Sequence, residues 1–162
     1  MGQLYPEITP EIAKWVAAQK VFFVASAPLA GSGHVNCSPK GLDTLRITGP
    51  TTVAYLDLTG SGSETIAHLR ENGRIVLMFC AFSGPPKIVR LHGTGRVVTR
   101  NSPAWENWKD SFPEHVSAIS VILVEVSRVS DSCGYGVPEM EHKSDRDTLL
   151  RWGEKKARRG WK

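Results

Sequence analysis

The sequence predicts a mainly β fold: about six strands, chiefly antiparallel, closed into a small barrel with short helices set between them. Three observations lead there. Short runs rich in Val, Ile and Phe are separated throughout by Gly, Pro, Ser and Asn turn signals. Between Ile88 and Arg100 the chain alternates with period two, with Val89, Leu91, Gly93, Gly95 and Val97 on one face and Arg90, His92, Thr94, Arg96 and Arg100 on the other. A length of 162 residues, 41% of them hydrophobic, supports one domain with a real core and not two. Long strands with internal glycines favour a barrel over a sandwich, because they can curl onto themselves.

Thr9-Pro10-Glu11 reads as a helix start, with a hydroxyl cap, proline in the first turn and an acid at the positive pole; Trp15 and Val16 then face the core. A Val- and Phe-rich strand over 20–27 is broken by Pro28–Gly33 and returns over 34–37, ending at Pro39 and Gly41. Leu45–Ile47 and Thr52–Asp57 are strands divided by Gly49-Pro50. Ser63 is expected to cap a short helix running to Glu71, which Asn72-Gly73 closes. Arg74–Phe82 is apolar enough for both faces to be covered. Gly93 and Gly95 mark a sharp bend or the close approach of another backbone. Pro103–Asp110 is expected as a short helix, Ala118–Asp131 as a long last strand, and Asp145–Arg159 as a final helix. Residues 1–142 would form the barrel domain and 143–162 a basic C-terminal helix or tail.

Composition excludes several functional classes. The three cysteines are too few and too far apart for a disulfide framework or a C-x-x-C zinc pair. The longest apolar runs, Val21–Ala25, Ile75–Ala81 and Val121–Val124, fall far short of the roughly 20 residues a membrane span needs. Residues 1–10 lack the charged-then-apolar order of a signal peptide, so a reducing, cytoplasmic setting is expected. The net charge of +4 sits in the tail: residues 143–162 carry eight Lys and Arg against three acids, while the remainder holds 12 basic and 13 acidic side chains. A basic tail on a neutral body argues against a nucleic-acid surface.

No metal site or nucleophile triad is legible. His34, His68, His92, His115 and His142 stand in unrelated contexts, and Cys37 and Cys80 lie within strands as small hydrophobes. Two segments do suggest chemistry. Asn36–Gly41 places small polar groups and the Lys40 ammonium at a strand end. Thr59-Gly60-Ser61-Gly62-Ser63 leads into a helix N-terminus, which is either an anion cradle or an ordinary capped loop.

The run from Val21 to Val98 resembles the pyridoxamine 5'-phosphate oxidase-like family of FMN-binding split-barrel proteins. The matching pieces are His34-Val35-Asn36-Cys37-Ser38-Pro39-Lys40-Gly41, Val53-Ala54-Tyr55-Leu56-Asp57, and the helix ending Leu69-Arg70-Glu71-Asn72-Gly73-Arg74. Ile75–Phe79 and Val89-Arg90-Leu91-His92-Gly93 follow, and Ser132-Cys133-Gly134-Tyr135-Gly136-Val137-Pro138 is similar to a segment of an uncharacterised branch.

The resemblance implies a six-stranded antiparallel split barrel, a homodimer, and FMN in two clefts at the subunit interface. Val35, Asn36, Cys37, Ser38, Pro39 and Lys40 would run beside the flavin ring and ribityl chain, with Tyr55 and Leu56 on the next strand. Ser61, Gly62, Ser63 and Thr65 would meet the phosphate. Where the oxidases carry basic residues, this chain has Glu64 and Thr65, so positive charge would come from Lys40, from Arg90 or Arg96 of either subunit, or from the helix N–H groups at Ser63–Thr65. The C-terminal Arg-rich motif of true oxidases is not recognisable, so the implied activity is hydride transfer between FMN and another small-molecule substrate. The alternative is a non-catalytic cofactor-binding or sensing module for FMN, a deazaflavin, haem or pyridoxal phosphate.

Overall fold

The computed structural model describes residues 2–60 and 62–159. Eight strands and three α-helices follow one another as β1 (Leu4–Tyr5), α1 (Pro10–Ala17), β2 (Phe22–Ser26), β3 (Asn36–Lys40), β4 (Leu45–Gly49), β5 (Thr52–Leu58), α2 (Gly62–Glu71), β6 (Arg74–Cys80), β7 (Ile88–Thr99), β8 (Ala118–Ser132) and α3 (Thr148–Arg158). All strand pairs are antiparallel, in the order β3-β2-β6-β7-β8-β5-β4, with β1 pairing the far end of β8. This is the expected mainly β class, with more strands than the six expected. The two-residue β1 carries no alternating pattern and forms because β8 offers it an edge.

The helix α1 starts as the sequence indicates: the Thr9 hydroxyl accepts from the Ile12 N–H at 3.3 Å, and Ile12 and Val16 are buried. In contrast, α2 begins at Gly62, so Ser63 lies inside its first turn rather than at its cap. The segment from Pro103 forms two short 3-10 turns, Pro103–Asn107 and Lys109–Ser111, and the last helix starts three residues later than expected.

The strands with both faces covered are β5 and the Val121–Val124 part of β8, rather than β6. The reason is that two layers meet there. Val53, Tyr55, Ile122 and Val124 point into the barrel with Val24, Leu77, Phe79, Val89 and Leu91. Ala54, Leu56, Val121 and Leu123 point outward under Phe112, Trp105 and Trp108 of the 3-10 region. On β6, Ile75, Leu77 and Phe79 are buried on one face and Cys80 at the strand end, while Val76 and Met78 on the opposite face are half-covered.

Both strand glycines have physical causes. The ladder between β7 and β8 shifts register between His92 and Gly93, and a Cβ on Gly93 would lie 2.1 Å from the Glu125 carbonyl oxygen. Gly95 admits α2: its N–H donates to the Gly73 carbonyl at 2.7 Å, and a Cβ there would stand 2.8 Å from Leu69. No helix among the described residues is long and apolar enough to cross a membrane.

The Gly93→Ala change forces backbone apart at the bulge and is expected to cost about 2 kcal/mol or more, read as a lower urea midpoint at unchanged slope.

Candidate functional site

Strands β3 and β4 end the sheet, each pairing on one side only, so the barrel is split along a seam between β3 and the β4–β5 pair. One ion pair crosses that seam. Lys40, the last residue of β3, donates through Nζ to Asp57 Oδ1 at 2.7 Å; its side chain is 13% exposed and that of Asp57 is 0% exposed. A carboxylate this deep is tolerable only with a charged partner. Its second oxygen, Oδ2, has no hydrogen-bond partner among the described residues. Gly62, the first residue of α2, lies directly against it: a Cβ at that position would be 2.1 Å from Oδ2.

The inward and outward faces of β3 differ sharply. Asn36 and Ser38 point inward and are buried. Asn36 Nδ2 donates to the Thr65 hydroxyl at 2.9 Å, and the Ser38 hydroxyl donates to Asn36 Oδ1 at 3.1 Å. Beside them Ser26 Oγ and His68 Nδ1 share a hydrogen bond of 2.9 Å. These bonds fasten β2 and β3 to α2. At alternate positions Val35 (72% exposed), Cys37 and Pro39 face outward.

At the end of the seam opens a cleft of about 620 Å³, within the roughly 300–1,000 Å³ range of small-molecule sites. Pro39, Lys40 and Leu56 form one wall, Thr59 and Gly60 the rim, and the C-terminal segment supplies His142, Asp145 and Arg146. His142 Nε2 meets Asp145 Oδ1 at 3.0 Å, whereas Arg146 makes no ion pair among the described residues.

The residues expected at a cofactor site therefore separate into groups. Pro39, Lys40 and Leu56 line the cleft, and Val35 and Cys37 continue the outer face of β3 beside it. Asn36, Ser38 and Thr65 meet one another in the buried network instead of facing a ligand. Tyr55 does not line the cleft: strand alternation sends it into the barrel, 0% exposed, with its ring 5.8 Å from that of Phe22. Burial and the nearby Asp57 carboxylate push its phenol well above the usual range. Ser63 and Glu64 are exposed on the first turn of α2, and Ser61 lies outside the described residues. Within one chain Arg90 is apart from this cleft: it sits on β7, hydrogen-bonded to Ser132 at 3.1 Å, three strands away from β3. Arg96 is exposed further along β7.

Sequence reasoning passed over Asp57, although a single carboxylate inside the apolar run Val53–Leu58 was a visible signal. His142 and Arg146 had no local signal, since only the fold brings them to the cleft. Among the described residues, no group of three or more His, Cys, Asp or Glu could hold a metal ion.

A family model described as pyridoxamine 5'-phosphate oxidase matches residues 8–146. The chain belongs to this family. It is 42% identical over 152 residues to the pyridoxamine 5'-phosphate oxidase family protein ustO of Aspergillus flavus, covering 91% of this chain and 61% of that protein. The chain thus spans less than two thirds of that relative's length. Among solved structures, a histidine-to-alanine variant of Group A Streptococcus HupZ superposes with a TM-score of 0.61 at 22% identity, covering 77% of this chain and 99% of that one. A FAD-binding protein from Mesorhizobium loti superposes with a TM-score of 0.54 at 11% identity, covering 81% and 96%. At these identities the structural likeness establishes the fold.

Asn36→Ala leaves both Ser38 and Thr65 without their partner and is expected to cost about 2 kcal/mol of stability. It should also release β3, seen as faster amide exchange confined to β3 and the first turns of α2.

Proposed function

We propose that this chain is the flavin-binding part of an oxidoreductase, with FMN as the flavin and a small molecule as the partner in hydride transfer. The observation that carries the reading is the outer edge of β3. Val35, Cys37 and Pro39 present a small apolar stripe there, the adjoining strand edge is free, and the stripe runs into the cleft at Lys40. A planar, weakly polar ring is suited to such a surface, with the unpaired backbone groups of β3 facing its heteroatoms. Membership of the family and the fold shared with the FAD-binding protein of Mesorhizobium loti support the same reading.

The fit differs between the two ends of FMN. The outer face of β3 suits the ring. The phosphate does not fit at Lys40 and the start of α2, because the Asp57 carboxylate already lies against both. When bound, the flavin supplies the redox chemistry. The protein's part is to hold the ring plane against β3 and to keep that strand rigid through Asn36, Ser38 and Thr65. Leu56 and the segment carrying His142 and Arg146 enclose the cleft around a substrate.

A second copy of the chain completes this reading as a homodimer. An exposed edge strand with apolar side chains is a ready pairing surface, and two-fold association would cover β3 and any ring lying on it. Cys37, Cys80 and Cys133 are free thiols, as a cytoplasmic setting would keep them.

Titration of the purified full chain with FMN should quench flavin fluorescence at one equivalent per chain, and NADPH followed by an acceptor should cycle the bound flavin. Stoichiometric binding without turnover would favour the sensing or carrier module over the enzyme. Val35→Glu places a charge on the exposed stripe at little cost to folding and should weaken flavin binding about tenfold. Unchanged affinity would move the ring elsewhere. Sedimentation of the same sample should give a dimer.

A further inference from the structure

The two devices that bind phosphate in a site of this kind are a basic side chain and a helix N-terminus. Both are present at the seam, and both face the chain's own carboxylate. Asp57 holds the Lys40 ammonium at 2.7 Å through Oδ1, while Oδ2 lies against Gly62, the first residue of a ten-residue helix. Asp57 is fully buried, and that Oδ2 has no hydrogen-bond partner among the described residues, so the carboxylate is aimed at the helix start without being used up there. The positive pole of the helix and the ammonium favour a negative charge at this point, and Asp57 provides it.

We infer that Asp57 is an internal counter-anion that occupies the phosphate position, so that the cleft takes a ring-bearing ligand by its uncharged part and gains no affinity from a terminal phosphate. The inference rests on the flavin reading above and goes beyond it by stating what the site discriminates. The local charges agree. At the seam the Lys40 charge is matched by Asp57, Asp145 of the cleft lining meets His142, and Glu64 is an exposed carboxylate on the first turn of α2. A phosphate dianion arriving between Lys40 and the start of α2 meets no net positive charge. Lys40 then serves to close the seam between β3 and β5, and the α2 N-terminus serves to stabilise a buried acid.

The test compares FMN with riboflavin, which differs from it by the phosphate alone, on the full chain. Wild type is expected to bind the two within about threefold of each other. Asp57→Asn keeps the shape, removes the counter-charge and frees the ammonium. It should bind FMN about tenfold tighter than riboflavin, and inorganic phosphate should raise its melting temperature while leaving wild type unmoved. The double variant Lys40→Met/Asp57→Leu replaces the pair by apolar side chains, a change that preserves folding in many buried pairs. It should keep the FMN-to-riboflavin ratio of wild type.

A wild-type preference for FMN of tenfold or more would overturn the inference. An unchanged ratio in Asp57→Asn would do so too, as would a double variant that loses FMN selectively. If wild type binds neither flavin, the flavin reading fails by itself. Inorganic phosphate then decides the role of Asp57: stabilisation of Asp57→Asn alone supports it, and equal response of the two proteins overturns it.

Discussion

A sheet that ends in two unpaired edges must be held shut by something other than backbone hydrogen bonds, and here the closure includes a buried charge pair. Lys40 ends β3, Asp57 lies near the end of β5, and their contact at 2.7 Å crosses the split. Burial makes the interaction obligatory rather than optional, because either charge left alone at this depth would be strongly destabilising. The pair orders the end of β3, where Lys40 lines the cleft, and gives the first turn of α2 a negative group to pack against. At Lys40, therefore, the charge that lines the cleft is already matched.

The division of labour along β3 follows from that closure. A strand at an edge has only one neighbouring strand to hold it, so its inward side chains must supply the remaining fixation. Asn36 and Ser38 do this through hydrogen bonds that reach Thr65 on α2, leaving Val35, Cys37 and Pro39 free to face outward. A polar network that is buried and satisfied tends to rigidify its surroundings. The outer face of β3 is therefore a fixed surface and not a loop that adapts.

Membership of the pyridoxamine 5'-phosphate oxidase family accounts for the barrel. The fold survives at 22% and 11% identity because it depends on strand alternation and on the covered faces of β5 and β8, which many apolar side chains can satisfy. What the cleft accepts depends on far fewer residues. The charged side chains lining it are Lys40, Asp145 and Arg146, with Asp57 buried behind Lys40.

Much of the fold was legible in the sequence. Period-two alternation marked β7, turn residues delimited the strands, Thr9-Pro10 opened α1, and Gly93 and Gly95 announced close backbone contacts. All of these are local consequences of backbone geometry. The site was legible only in outline, through the motif that ends at Lys40. Reading outward from that motif assigned Tyr55 and Thr65 to a ligand, whereas the barrel turns Tyr55 inward and gives Thr65 to Asn36; within one chain Arg90 lies three strands from β3. By itself the sequence determined the elements and the family; the tertiary structure decided which charge faces which. Charge pairing reflects distance in space, and Lys40, Asp57 and Arg146 are brought together only when the sheet curls and the C-terminal segment lies across its open end.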